Sequence, residues 1–315
     1  MPTIVSLGVH VLDVLARPVT HIPDGQGGEL IEEIRATPAG TAAGTALIVA
    51  KLGATSKSAG AIGTDALGDL LLTLLHGHGV DTSMVVRRPD VQTSASVLPI
   101  RPDGSRPALH VVGANATFTP ADVPGSAFDD VDHLHLGGPE FLGGDAAAQI
   151  LQQAHAAGAT TSADLLAPGD PGILEWVGAA LEHLDVLLPN DEQLLGLTGE
   201  ADLTTAARRL VARGAGCVAV TRGAQGALVV TQDDVLEVPA YATDVVDTTG
   251  CGDAFSAGFV VGRALGRDLT ASAQLGCATA SFVAGGLGTD HGAFTLADPD
   301  QRIEEDRTLP TAADA

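Results

Sequence analysis

Two rhythms of apolar and polar positions divide this chain. From Asp132 onward, short apolar runs alternate with longer stretches whose apolar residues recur at helical spacing. The runs His133–Leu136, 159–163, 184–188 and 217–221 read as buried strands, and 145–157, 170–183, 191–198 and 202–213 read as helices. Their alternation predicts an α/β fold, a doubly wound and mostly parallel sheet with helices on both faces. Thr3–Leu7, closed by Gly8, adds another buried strand. Ligands of such sheets gather beyond the carboxyl ends of the strands, where Asp164, Asn190, Thr221 and Asp247 all fall.

The second rhythm is made of short β-rich pieces. Residues 17–37 mix Pro, Gly and charge without a helical period, and Met84–Val86, Ser94–Ile100 and Ala108–Val112 are separated by Arg-Pro-Asp and Pro-Asp-Gly-Ser turns that read as hairpins. We expect these pieces to form a small β-sheet lid. The chain then divides into a core of residues 1–11, 38–87 and 114–297, a lid of 12–37 and 88–113, and a loosely held acidic C-terminal tail at 298–315. The edges of an exposed lid need cover, and pairing two lids in a homodimer is one solution.

Composition narrows the partners. With 315 residues and 45% apolar content, the chain suffices for one large α/β domain with an elaboration or for two modest domains, and general disorder is excluded. Sixteen Lys and Arg against 39 Asp and Glu give a formal charge of −23. So acidic a surface repels nucleic acid and anionic membranes, and neither is an expected partner. An anionic nucleotide stays admissible, because backbone N–H groups, an Arg or a metal ion invert the field within one cleft. Cys217, Cys251 and Cys277 lie far apart without metal-ligand spacing and suit a reducing compartment. No basic, cleavable start and no apolar run near ~18 residues is visible, so a soluble, cytoplasmic protein is expected.

Candidate chemistry concentrates in Asp247-Thr248-Thr249-Gly250-Cys251-Gly252-Asp253, which runs into apolar residues at helical spacing with no Pro as far as Gly266. A loop feeding a helix amino terminus leaves the N–H groups of residues 250–253 without helical partners, and the helix dipole adds positive potential there. Glycines let a phosphate approach the backbone closely. A carboxylate costs energy beside phosphate, so the useful role of Asp253 is to accept a proton from an attacking hydroxyl. A capped turn explains an isolated Asp-Thr-Thr-Gly equally well; the full spacing ahead of an apolar helix favours phosphoryl transfer.

At these residues the sequence resembles the ribokinase-like (PfkB) carbohydrate kinases, whose signature reads Asp-Thr-x-Gly-x-Gly-Asp. The resemblance extends in order over about residues 3–296. It implies an anion hole at Gly250, Cys251 and Gly252, with Asp253 as catalytic base. On the acceptor side it implies Asp13, Gly40, Thr41, Gly44, Asn115 and Gly138, although a turn residue explains Asp13 as well. Pro38–Leu47 resembles the family's Gly-Gly-x-x-x-Asn and departs from it twice, with Ala39 for the first Gly and Gly44 for the Asn. Loss of that amide leaves space for a bulkier or different acceptor.

On the nucleotide side the resemblance implies ATP held near Asn190, Thr221, Gly223, Gly226, Thr248 and Gly288, with Mg2+ and K+ as companion ions. Asn190-Asp191-Glu192-Gln193 stands where the family has Asn-x-x-Glu, and Gln193 replaces the acid, so Asp191 or Glu192 inherits the metal role. Asp247 and the 285–289 loop are the expected monovalent cation site. Capped turns and a hairpin account for the same residues structurally. Arg101 and Arg106 either face an anion from the lid or are solvated hairpin residues. His133 and His135 share one strand face without a readable third ligand, so no metal is expected there.

The reading is an ATP-dependent kinase acting on a hydroxymethyl group of a sugar or sugar-like small molecule. A nucleoside kinase is the alternative, weakened by 3% aromatic content. A catalytically silent sugar- or nucleotide-binding regulator is the other, with Ala39, Gly44 and Gln193 as decayed positions and the intact Asp253 against it. No Gly-x-x-x-x-Gly-Lys-Ser/Thr loop, strand-linked Gly-x-Gly-x-x-Gly or nucleophile elbow competes.

Overall fold

The structure, a computed structural model, describes residues 1–102, 104–305 and 308–309. Its large sheet runs, edge to edge, Val235–Val238, Ala227–Val230, Val218–Thr221, Val186–Leu187, Thr160–Asp164, His133–Gly137, Thr3–Gly8, Thr55–Gly63 and Asp81–Arg88. Neighbours are parallel except for the two pairs at the Val235 edge, where tight turns reverse the chain. Helices α1 (Ala43–Lys51), α2 (Ala66–Gly77), α3 (Gly144–Ala156), α4 (Pro171–Val177), α5 (Asp191–Thr198), α6 (Leu203–Ala212), α7 (Cys251–Ala264), α8 (Leu269–Val283) and α9 (Ala297–Glu304) connect and cover these strands.

The pleat decides which core each side chain enters. Ile4 joins the apolar cluster that includes Leu47 of α1, Phe259 of α7 and Leu275 of α8. Val5 and Leu7 point the other way, into the cluster with Ile150 of α3, Leu194 of α5 and Leu210 of α6. Burial on both faces is why the strands are unbroken apolar runs in the sequence. The expected strands and helices lie within a few residues of those observed. The helix expected over 170–183 is divided, because α4 ends at Val177 and Gly178–His183 tightens into a 3-10 stretch.

A second sheet, Glu33–Ala39, Val11–Arg17, Ala95–Pro99 and Leu109–Val111, stands apart from the first. The central pair of this lid is parallel and its outer pairs are antiparallel. Met84–Val86, expected among the lid hairpins, instead belongs to the large sheet. It pairs parallel with Ala59–Ala61, and Met84 and Val86 pack on the core.

The lid root is fastened to the core. Asp290 receives Arg35 (3.1 Å) and the Thr37 hydroxyl (2.9 Å), while Lys51 donates to the carbonyls of Asp290 (3.1 Å) and His291 (2.7 Å).

Residues 298–305, expected as part of a loose tail, begin with α9, which is docked on the core. Arg267 grips Asp300 with two bonds of 2.7 and 2.8 Å, Pro299 is buried, and the Arg302 guanidinium lies 3.8 Å over the Phe282 ring. Two of the acidic residues that suggested solvation, Asp298 and Asp300, are first-turn helix residues, where negative charge complements the dipole. Among the described residues no helix is long and apolar enough to cross a membrane.

Candidate active site

Helix α7 opens on Gly250, which sits in the left-handed region at φ +77° with Thr289 packed where a Cβ would project. Only glycine fits both constraints. Asp247 builds the turn ahead of it. Its Oδ1 accepts from the N–H (3.0 Å) and hydroxyl (2.9 Å) of Thr249, and its Oδ2 accepts from the N–H of Gly288 (3.1 Å). Within this turn the N–H of Cys251 donates to Thr248 O (3.2 Å), whereas among the described residues no acceptor reaches the amides of Gly250, Gly252 or Asp253. Those three are the free donors. Cys251, expected among the anion-hole residues, has its amide committed, and its side chain faces a different cavity.

Gly250, Gly252 and Asp253 line a cavity of about 300 Å³ together with Asp13, Asp164 and Arg106. Three carboxyls and one cation therefore share one small space. Burial pushes Asp13 up to about 6 and Asp164 up to about 7. Asp253 retains a partial opening to the cavity, yet desolvation, then Asp164, then Asp13 hold its carboxyl well above the usual carboxylate range. Arg106, from the lid, opposes this shift in both Asp13 and Asp253. Arg101 instead bonds Ser105 on the exposed hairpin.

Asp164 was visible as a strand-end residue, but no motif in the sequence marks it for the site. It ends Thr160–Asp164, where its Oδ2 accepts from Ser256 (3.1 Å), one turn along α7 from Asp253.

Gly44 proves to be tied to Asp253. A Cβ there would lie 2.7 Å from Cγ of Asp253 and closer still to its Oδ2. The space left by the missing family Asn is thus filled by the Asp253 carboxyl, not by room for a bulkier acceptor. Gly40 and Thr41 do line the cavity. Asn115 does not: its side chain clamps the backbone of His10, accepting from its N–H (3.0 Å) and donating to its carbonyl (2.9 Å). Gly138 packs on Val9 outside the cavity lining.

On the opposite wall Asn190 caps α5, and Gln193 answers it in a reciprocal capping box. The Gln193 amide nitrogen also donates to the carbonyls of Leu165 (2.9 Å) and Ala167 (3.1 Å). A carboxylate has no N–H to give them, which explains the departure from the family's Glu. Asp191 accepts from the N–H of Glu192 (2.9 Å), and neither acid is among the residues lining the cavity. Among the described residues no three His, Cys, Asp or Glu side chains gather to hold a metal ion.

A second cavity, about 430 Å³ and mainly apolar, adjoins the first through Thr221, Thr248 and Gly252. Gly223, Gly226, Cys277 and Ala280 are among its walls. Gly288 lies outside both linings, against Thr37 and Asp247.

An anion-receiving helix terminus beside a protonatable carboxyl, at the carboxyl edge of a parallel sheet, is machinery for phosphoryl transfer to an alcohol. The model of the pfkB family carbohydrate kinases matches residues 1–295, and this chain belongs to that family. It is 31% identical over 285 residues to an ATP-dependent ribose-1-phosphate kinase of Halopiger xanaduensis, covering 90% of this chain and 93% of that one. It is 27% identical over 273 residues to a nucleoside kinase of Methanothermobacter thermautotrophicus, covering 85% and 84% of the two. The fold is similar to that of a fructokinase with bound ATP from Xylella fastidiosa, at a TM-score of 0.81, 22% identity and coverage of 96% and 98%. The protein is accordingly a carbohydrate kinase, a transferase of the ribokinase family acting on a sugar-like compound.

Proposed function

We propose that the chain transfers the γ-phosphoryl group of ATP to a hydroxyl of a sugar or sugar phosphate, with Asp253 as the base. The observation that carries this reading is the coincidence, in one cavity, of the free amides of Gly250, Gly252 and Asp253 with the Asp253 carboxyl. The amides receive charge on the transferring group, and Asp253 takes the hydroxyl proton. Asp13 and Asp164 provide oxygen acceptors that orient the acceptor's hydroxyls. Asn190, which lines the cavity, would supply a hard oxygen donor of the kind that suits magnesium, and Asp191, next to it but outside the lining, would act only through water. Magnesium, when bound, neutralises the triphosphate. A potassium role for Asp247 rests on the resemblance, since both of its oxygens are already occupied by protein donors.

Arg106 favours an anionic acceptor. It reaches the cavity from the lid, no hydrogen bond among the described residues engages it, and the Halopiger relative acts on a sugar phosphate. A nucleoside is the weaker alternative despite the methanogen relative, because among the described residues no aromatic ring lines the 300 Å³ cavity to stack on a base.

The deciding variant is Asp253→Asn. Turnover should fall by about three orders of magnitude or more while calorimetry shows ATP binding retained. Full activity across a panel of sugars and sugar phosphates would refute the assignment.

The lid is further proposed to pair in a homodimer. Ile34 (69%), Val97 (48%) and Leu109 (68%) are exposed large apolar residues on its strands. A monomer in sedimentation at micromolar concentration contradicts this pairing.

A further inference from the structure

One wall of the apolar cavity comes from beyond the family match, which ends at residue 295. Past α9, the N–H of Leu309 donates to the carbonyl of Ala240 at 2.7 Å, and Thr308 forms an antiparallel bridge with Tyr241. Ala240, Tyr241 and Leu309 all line the cavity. The anchored α9 delivers this segment: its contacts with Arg267 and Phe282 fix the chain just ahead of the bridge. The cavity shares Thr221, Thr248 and Gly252 with the anion-receiving turn, so a nucleotide whose phosphates reach that turn extends its base and sugar here. The other walls are small and weakly polar, among them Ala224, Val245, Ala280 and Ala284, and they suit the flat face of a nucleobase.

We propose that Thr308 and Leu309 form a strap belonging to the nucleotide site, which covers the nucleoside end of ATP and raises its affinity. This rests on the kinase reading, because it takes the apolar cavity as the seat of the base. The backbone pairing with 240–241 sets the strap's position, and the Leu309 side chain supplies apolar contact. Nothing in the strap reaches the carboxyl cluster, so acceptor binding and the chemical step are expected to be independent of it.

The test uses the full chain, a chain ending at Glu305, which retains α9, and the full-length variant Leu309→Asp. Circular dichroism and thermal melting establish that each is folded, and isothermal titration with ATP supplies a readout independent of turnover. We expect the ATP dissociation constant to rise about five- to twentyfold in both altered proteins, the loss of an apolar contact of this size. kcat at saturating ATP and the acceptor KM should stay within about twofold of the parent. Altered proteins that bind ATP as tightly as the parent overturn the strap and leave the kinase reading standing. A parent chain that binds no ATP overturns the kinase reading and the strap with it.

Discussion

Asp164→Asn removes a charge from the carboxyl cluster while keeping its shape, since the Asn oxygen still accepts from Ser256. Burial holds Asp164 at about 7 against an ordinary 3.8. Between those values the folded protein binds more protons than the unfolded chain, so stability falls as pH rises through the window and stays low above it. An interval of about 3 pH units at ~1.4 kcal/mol each places the penalty on the order of 2–4 kcal/mol once fully developed. The Asn variant should therefore match the parent near pH 4 and exceed it by that amount near pH 8, as read from urea denaturation across the range. A kinetic signature accompanies the thermodynamic one. Asp164 is the charge that most raises Asp253, so its loss lowers the pH at which Asp253 ionises and moves the acid limb of kcat/KM down. A stability difference that does not change with pH, or an acid limb that stays put, would refute the argument that these carboxyls share one field.

Two further changes probe the departures from the family pattern. Gly44→Ala should lower kcat at least about tenfold with ATP binding kept, because the new methyl pushes the Asp253 carboxyl out of line; unchanged kcat removes Gly44 from the catalytic argument. Gln193→Glu, which restores the family acid, should destabilise by about 1–3 kcal/mol in denaturant titration, by stripping the carbonyls of Leu165 and Ala167 of their donor. A gain in stability there would show that the amide is dispensable.

Much of the core was legible because its signals are local. Strands buried on both faces must be continuous apolar runs, and α7 begins at the glycine-rich turn whose spacing announces it. What escaped depends on contacts between distant segments. Gly44 looks like a lost ligand until Asp253, far along the chain, occupies its space. Gln193 looks like decay until the Leu165 and Ala167 carbonyls require an N–H, and Asn115 looks like a substrate residue until His10 consumes both ends of its amide. Asp164 carries no motif, and its importance arises only where the sheet brings it beside Asp253. The α9 segment was misread from its acidic, Pro- and Ala-bearing composition, because its partners Arg267 and Phe282 belong to other elements.

The fastening at Asp290 limits how the small sheet can move. A hinge at residues 33–39 would have to tear Arg35 and Thr37 from a single carboxylate, itself held in place by the ammonium of Lys51 on its carbonyl. Swinging the whole sheet as a door is therefore costly, and any movement is left to its far ends, residues 18–31 and 104–108. Arg106 rides on the second of these, so the cation that meets the acceptor travels on the pliable rim of an otherwise bolted frame.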